Sequence, residues 1–263
     1  MINGFTSKTL SALVSAGVLS VAAIVGTAGA ASASPPAYCP TLSKEVTVFG
    51  IGGSTMGSVL GPMLDKLYKE EGVAFSRWGK ASSGLARPDF HDWPKESPRL
   101  MNKHSPDIVI VSLGTNDYQA LNDGKNWIRQ EDDAWETTYG DRVTEMLTAL
   151  GGENKERLVI WSGPYAFEGK NAVVRAPIVN RIMRERVEAY IADGGKALFH
   201  DAYGPTSDDN GKPLSEAILP SKGAKKQKIR GHDNIHLTAD AVRELLAKPI
   251  TDMTRPCIPA KVP

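Results

Sequence analysis

Short apolar runs recur along the chain, each with the length of a strand. They span residues 45–51, 73–79, 106–114, 157–163 and 196–203. The run "PDIVIVSLG" (106–114) is apolar at every central position, which is typical of strands buried on both faces of a parallel sheet. The apolar pattern therefore predicts a set of strands distributed over most of the chain, with 45–51 and 106–114 buried.

Segments with apolar residues three and four positions apart separate these runs. They cover about 56–72, 132–150 and 173–193, and a last one begins near Thr238, whose hydroxyl can cap it. Alternation of strands and helices predicts an α/β fold with a parallel sheet covered by helices on both faces. The polar region 204–232 is rich in Gly, Pro and Lys, and we expect a loop excursion there.

The first candidate site is "VFGIGGSTMGS" (48–58), because ligands of such folds bind beyond the carboxyl ends of the strands. A dinucleotide-binding loop requires a third glycine where Thr55 stands, and the sequence contains no Gly-Lys-Ser/Thr of a Walker loop. What remains is a strand, a glycine turn and Ser54 at the start of a helix. Ser54 then either caps that helix or acts as a nucleophile.

The N-terminal segment has the form of a secretory signal. No charged residue occurs between Lys8 and Lys44, and the apolar core 10–25 is followed by small residues at 28–33. The alternative is a retained membrane anchor, but Ala, Gly and Ser in its second half favour cleavage. We expect a signal peptide over 1–33 and a single domain over 34–263, secreted or periplasmic and with no integral membrane span after cleavage.

Charge and cysteine content narrow the function further. The formal net charge is +1, which is not that of a generally basic nucleic-acid-binding protein. The two cysteines, Cys39 and Cys257, lie near the ends of the predicted domain, and in an oxidising compartment they predict a disulfide. Two unpaired thiols are the alternative.

The sequence gives no indication of a metal or cofactor site. Histidines are scattered and no acidic cluster has ligand spacing, so we predict neither a metal site nor a cofactor.

Three further segments carry groups suited to acyl transfer. "GHDNIHLT" (231–238) places Asp233 three residues before His236, a spacing that lets a carboxylate orient an imidazole base. "SLGTND" (112–117) places the Asn116 amide after the strongest strand, where it can donate to a developing oxyanion. Gly84, in "KASSGLARPDFHDWP", is small enough for its backbone N–H to approach the same oxygen.

Taken together, these segments resemble the four sequence blocks of the SGNH (GDSL-like) hydrolases, in their order and spacing. "GGSTMG" occupies the place of the family's Gly-Asp-Ser block, with Gly53 where the family has aspartate. "SLGTND" and "DNIHLT" match the third and fourth blocks. "SGLARPDFHDWP" is further similar to a bacterial extracytoplasmic subgroup associated with the cell envelope. The resemblance implies a flavodoxin-like three-layer α/β/α sandwich with a central parallel sheet.

The resemblance also implies roles for these residues and a class of substrate. Ser54 is then the nucleophile, His236 the base and Asp233 its orienting partner, while Ser54, Gly84 and Asn116 form the oxyanion hole. The implied protein is an exported serine esterase that removes O-acyl groups, above all O-acetyl, from envelope or extracellular carbohydrate. The alternatives are an O-acyltransferase with the same residues, a lipase-like esterase for small acyl esters, and a non-catalytic glycan-binding protein.

Two features outside these blocks bear on the substrate. The basic run 222–230 either attracts an anionic polymer or is a solvated loop. Trp78, Trp93 and Trp127 either stack on sugar rings or pack in the core. The sequence leaves both questions open.

Overall fold

The computed structural model of the protein describes residues 35–42, 45–169 and 171–259. The predicted signal peptide lies outside these residues. A five-stranded parallel sheet with the spatial order β2-β1-β3-β6-β7 forms the centre of the fold, and two short hairpins lie outside it. The strands in chain order are β1 (Thr47–Gly52), β2 (Ala74–Gly79), β3 (Ile108–Ser112), β4 (Leu121–Asn122), β5 (Trp127–Ile128), β6 (Leu158–Ser162), β7 (Ala197–His200), β8 (Glu216–Ile218) and β9 (Lys226–Lys228).

Helices cover both faces of this sheet. They are α1 (Gly61–Glu71), α2 (Trp93–His104), α3 (Ala134–Gly151), α4 (Ala172–Ala192), α5 (Ala239–Val242) and α6 (Lys248–Thr254), with π-helical turns at Met56–Leu60 before α1 and Arg243–Ala247 between α5 and α6. Gly72 ends α1 in the left-handed conformation, and the Thr238 hydroxyl accepts a hydrogen bond from Ala241 N at the start of α5. The predicted α/β/α sandwich with a central parallel sheet is confirmed.

The core lies in two layers, one on each face of the sheet. Val109 and Val111 of β3 pack with α2, α3 and α4, whereas Ile108 and Ile110 pack with α1 and the C-terminal helices. All four side chains are fully buried. Because successive side chains of a strand point to opposite faces, burial on both sides explains the unbroken apolar run.

The sequence pattern missed α2 and the two hairpins. Pro94 and Pro98 lie inside α2, and proline ordinarily argues against a helix interior. Here Pro94 occupies the first turn, where no backbone donor is needed, and the Asp92 side chain accepts from Lys95 N to cap the helix. The expected loop 204–232 contains the β8–β9 hairpin, so it is only partly irregular.

The predicted disulfide is present. Cys39 and Cys257 are bonded with their Cα atoms 5.1 Å apart, and both side chains lie in the core layer shared with α1 and α6. The bond therefore ties the first described residues to the last helical turn. A separate finding concerns membranes: none of the described helices combines the length and the apolar character needed to cross one.

Candidate active site

Ser54 lies just beyond the carboxyl end of β1 and is half-buried. Gly52 and Gly53 bring the chain against β3: a Cβ on Gly52 would collide with the Ser112 carbonyl oxygen, and Gly53 N donates to that oxygen at 3.1 Å. At the first turn of a helix the backbone N–H groups have no intrahelical acceptor. The glycines of the first block thus serve close strand packing, and they leave Ser54 with a donor N–H at the edge of the sheet.

Gly84 follows β2, which pairs with β1, and is buried against Asp117. A Cβ on Gly84 would collide with the Asp117 carboxylate. In the described part of the chain no acceptor is found for the Gly84 N–H. Gly84 therefore presents an uncommitted backbone donor next to the residues that follow β3.

Asn116 links the loop after β3 to the loop after β2. Its amide Nδ2 donates to the Ser83 carbonyl oxygen at 2.9 Å, an oxygen that belongs to the same peptide unit as the Gly84 N–H. An amide nitrogen carries two hydrogens, so one remains for a ligand. A Cβ on Gly53 would lie 3.3 Å from both Asn116 Nδ2 and Ser83 O, which is closer than ordinary contacts. Glycine at position 53 thus leaves room for this hydrogen bond.

Asp117 is the buried anchor of the same region. Its Oδ1 accepts from Ala86 N at 2.9 Å and its Oδ2 from the Tyr139 hydroxyl at 2.8 Å. Burial raises the pKa of the Asp117 carboxyl, while the hydrogen bonds from Ala86 and Tyr139 oppose that effect. The carboxylate fixes the backbone on the C-terminal side of Gly84 to the residue next to Asn116. It thereby holds two predicted oxyanion donors in one frame.

The N-terminal side of Gly84 is held as well. Trp93 is fully buried and its indole N–H donates to Ser83 Oγ at 3.0 Å, while Ser83 Oγ donates to the Lys80 carbonyl at 2.6 Å. Trp93 therefore holds residues 82–86 in position from the core and offers no face to a sugar. These residues are called the oxyanion loop below, after the role predicted for Gly84. Trp78 is partly buried against the same core layer.

The predicted base and its partner form a hydrogen-bonded pair. His236 Nδ1 and Asp233 Oδ2 lie 2.6 Å apart, and Asp233 Oδ1 accepts from the backbone N–H groups of Ile235 and His236, each at 3.0 Å. The His236 side chain and these backbone donors hold the pKa of Asp233 well below its usual range. With the proton on Nδ1 facing the carboxylate, Nε2 is the nitrogen that can accept a proton.

The loop carrying this pair is exposed but braced from below. The side chains of His236 and Asp233 are 58% and 46% exposed. Arg230 is buried beneath them, and its guanidinium donates to the carbonyl oxygens of Leu214 and Thr206 at 2.9 and 3.1 Å. Arg230 is therefore a structural residue. Lys222, at the other end of the basic run, pairs with Asp240 at 3.0 Å.

Tyr165 lies between the serine and the histidine loop. Its ring centroid is 5.9 Å from the Arg230 guanidinium carbon, and burial raises the pKa of its phenol, with smaller effects from Thr55 and Asp233. Among the described residues no hydrogen bond joins Ser54 to His236. The structure thus holds Asn116 and the Ser83–Gly84 peptide unit against Gly53, the residue before Ser54. It places the His236–Asp233 pair across Tyr165 from Thr55, the residue after Ser54.

Two cavities share Asn116 and Gln119 in their linings. One, of about 360 Å³, is lined by Ser82, Arg87, Phe90, Asn116 and Gln119. The other, of about 260 Å³, is lined by Thr115, Asn116, Tyr118, Gln119, Phe167, Gly169, Asn171 and Ala172. A ligand held by Asn116 therefore has two adjacent spaces into which its other parts can extend.

Three further histidines, His91, His104 and His200, have structural surroundings. His104 stacks on Phe49, with ring centroids 4.2 Å apart, and buried His200 contacts Ser162 Oγ at 2.9 Å. Burial lowers the pKa of His200 to about 4, so it is neutral at physiological pH. His91 packs edge-on against Trp93 at 4.7 Å. None of them belongs to the cluster around Ser54.

Sequence comparison gives a family but no curated relative. The model of the family described as "Protein of unknown function (DUF459)" matches residues 47–252, which is most of the chain. A comparison with curated proteins finds no match.

Solved structures of esterases share the fold. A carbohydrate acetylesterase from Sinorhizobium meliloti is 14% identical with a TM-score of 0.51, over 80% of this chain and 100% of that one. A carbohydrate esterase of family 3 from Talaromyces cellulolyticus is 14% identical with a TM-score of 0.51, over 80% and 98%. An acetyl xylan esterase is 16% identical with a TM-score of 0.50, over 79% and 99%. At these identities the likeness concerns the fold, and the SGNH-type fold expected from the sequence blocks is confirmed.

Proposed function

The chain belongs to the DUF459 family, and from that premise we propose that it is an exported serine esterase of the SGNH type. Its substrates are O-acyl, mainly O-acetyl, esters of cell-envelope or extracellular carbohydrate. The observation that carries the proposal is the cluster at the carboxyl ends of β1, β2 and β3. There Asn116 binds the carbonyl of the Ser83–Gly84 peptide unit, and both lie against Gly53, the residue before Ser54. A binding protein has no need of an oriented histidine base beside such a cluster.

The chemistry follows from the donors and acceptors present. Ser54 Oγ attacks the ester carbonyl as His236 Nε2 takes its proton, and the charge on Asp233 stabilises the imidazolium that forms. The negative oxygen of the tetrahedral intermediate accepts hydrogen bonds from Ser54 N–H, Gly84 N–H and Asn116 Nδ2. His236 returns the proton to the leaving alcohol, and water, activated by the same imidazole, then releases the acid and frees Ser54.

Three observations support a carbohydrate ester as the substrate and export of the protein. Fold relatives are named as esterases of acetylated carbohydrate, although at low identity. The N-terminal sequence has the form of a secretory signal. The Cys39–Cys257 disulfide suits a protein that folds in an oxidising compartment.

Hydrolysis of para-nitrophenyl acetate by the protein without residues 1–33 tests the chemistry. We expect Ser54→Ala and His236→Ala each to reduce kcat by about ten-thousandfold or more, because the nucleophile and its base act as a unit. His232→Ala is the matched control, since His232 is an exposed histidine of the same loop outside the Asp-x-x-His spacing. A serine-reactive phosphonate should label the wild type and spare Ser54→Ala.

Equal rates in the wild type and in Ser54→Ala, together with no labelling, would refute the proposal that the protein is a serine esterase. If the enzyme is established, oligosaccharide acceptors added to the assay distinguish its two outcomes. Release of acetate alone indicates an esterase, whereas an acetylated oligosaccharide product indicates an acyltransferase.

A further inference from the structure

The exposed aromatic side chains of the protein are concentrated beside the candidate active site. Among the described residues, the large hydrophobic side chains left exposed include two aromatic rings, Trp127 at 54% and Phe90 at 49%. Aromatic rings, tryptophan above all, are enriched at surfaces that a partner or ligand covers. Both belong to the surroundings of the cavity that contains Asn116 and Arg87.

Trp127 stands on a rigid support. It lies in β5, paired with Asn122 of β4, and the hairpin is joined to the oxyanion loop by a hydrogen bond from Asn122 N to Ala86 O at 2.9 Å. The neighbours Leu121 and Ile128 pack against the core, so alternation along the strand turns Trp127 outward. Its position relative to Asn116 is therefore fixed before any ligand arrives.

Arg87 covers one face of the Trp127 ring and is itself held in place. Its guanidinium carbon lies 4.9 Å from the ring centroid, and its Nε and Nη2 donate to the two carboxylate oxygens of Asp89 at 2.9 and 2.8 Å. Its Nη1 reaches Gln119 Oε1 at 3.3 Å. Because Arg87 also lines the cavity of Asn116, the Trp127 platform is continuous with the predicted oxyanion hole.

Phe90 provides a second ring on the same cavity. It lines the 360 Å³ space with Arg87 and Asn116, and Lys80 Nζ lies 5.3 Å from its centroid. A pyranose ring has an apolar C–H face that suits a flat aromatic surface and hydroxyl groups that suit flanking amides and cations. The cavity offers both kinds of contact, which an acyl chain would not use.

We propose that Trp127 and Phe90 form the subsite for the sugar that carries the acyl ester, on the β2 side of Asn116. This inference rests on the proposed function, and it deepens it by assigning the alcohol part of the substrate to this side of the site. The face of Trp127 away from Arg87 stacks on the sugar ring. Its acyl group then extends over Asn116 toward Ser54.

Binding is measured without catalysis in the Ser54→Ala protein. The measurement is an NMR titration. The indole N–H resonance of Trp127, identified by its absence in the Trp127→Phe variant, is followed while xylotetraose or chitotetraose is added at millimolar concentrations. We expect a saturable shift of this signal with at least one of the two. An unmoved signal with both sugars would overturn the subsite whether or not the protein is an esterase.

Kinetics test the same assignment on the active protein. Trp127→Ala should lower kcat/KM for acetylated xylotetraose about tenfold and leave para-nitrophenyl acetate within about twofold, because only the larger alcohol reaches the platform. Ile218→Ala, at an equally exposed hydrophobic residue on the β8–β9 hairpin, is the control and should change neither rate. An equal loss on both esters, or a Trp127→Ala protein that matches Ile218→Ala, would contradict the assignment. A wild type inactive on both esters would refute the proposed function, and the titration would still decide the subsite.

Discussion

The two halves of the candidate active site are built in opposite ways. The oxyanion region, residues 82–86 and 114–119, is held by buried side chains from distant parts of the chain, such as Trp93 and Tyr139. The base loop, residues 230–238, is held from below by Arg230, and its working carboxylate and imidazole are exposed. The proposed chemistry thus combines one rigid part and one solvated part.

The difference follows from what each half must do. Oxyanion donors stabilise the transition state best when they are already in position, since any reorganisation of the donors would raise the activation free energy. A base must instead exchange protons with water and with substrate, and exposure of His236 permits that. We therefore expect changes in the oxyanion region to affect stability and rate together, and changes in the base loop to affect rate alone.

In the oxyanion region the largest effect on rate should come from the Asn116 side chain. Asn116→Ala removes the only oxyanion donor that a substitution can delete, and we expect kcat to fall about 100- to 1,000-fold, as for other oxyanion-hole donors. KM for para-nitrophenyl acetate should change little, since the interaction forms mainly in the transition state. Asn102→Ala, at an exposed asparagine of α2, is the control. Unchanged kcat would remove Asn116 from the mechanism.

In the base loop the test is the carboxylate. Asp233→Asn keeps an oxygen for the backbone N–H groups of Ile235 and His236 but loses the charge that stabilises the imidazolium, so we expect kcat to fall by up to about 10⁴-fold. The unfolding temperature at neutral pH should fall only slightly, because the carboxylate is exposed and its ion pair is screened by solvent. Circular dichroism melting beside the kinetics checks both parts. A marked loss of stability would contradict the contrast between the two halves.

The sequence predicted the framework of both halves. The strands of the sheet were visible as apolar runs, and burial of β3 on both faces explains why its run is unbroken. Ser54, Asn116 and His236 were found because short motifs keep them at the ends of elements. Their catalytic roles remain a prediction that the proposed variants test.

What the sequence could not reveal is which side chains meet across the chain. The Tyr139 hydroxyl that binds Asp117 comes from 22 residues further on, and helical spacing marks Tyr139 only as a core residue. Trp93 looked equally suited to stack on sugar, yet it is buried and Trp127 is exposed. Periodicity gives the face of an element on which a residue lies, whereas hydrogen-bond partners depend on how elements pack.

Tyr139→Phe tests the buried anchor without disturbing its shape. It removes the hydroxyl that donates to Asp117, and we expect the free energy of unfolding to fall by about 1–3 kcal/mol, because a buried acceptor loses a partner. The rate should fall less than tenfold. Tyr190→Phe is a matched control, since the Tyr190 hydroxyl is buried and has no partner among the described residues. Urea unfolding of both variants decides, and equal stabilities would refute an anchoring role for Asp117.

The smallest expected effects are on the pH dependence of stability. They distinguish the two halves because the pKa values of Asp117 and Asp233 are shifted in opposite directions. Burial raises the pKa of Asp117, so its contribution to stability declines as pH rises above the unfolded value of about 3.9 and through the folded one. Hydrogen bonds lower the pKa of Asp233, so its contribution is present above about 3.9 and is lost as pH falls below it.

Unfolding temperatures measured between about pH 2 and pH 7 test both directions. Relative to the wild type, Asp233→Asn should flatten the acid side of the curve, while Asp117→Asn should gain stability as pH rises above about 4 even though it starts from a lower value. Asp209→Asn, at an exposed aspartate outside both regions, serves as the control. If both variants followed the wild-type curve in parallel, neither carboxylate would differ between the folded and unfolded states, and the contrast between a buried oxyanion region and a solvated base loop would lose its electrostatic basis.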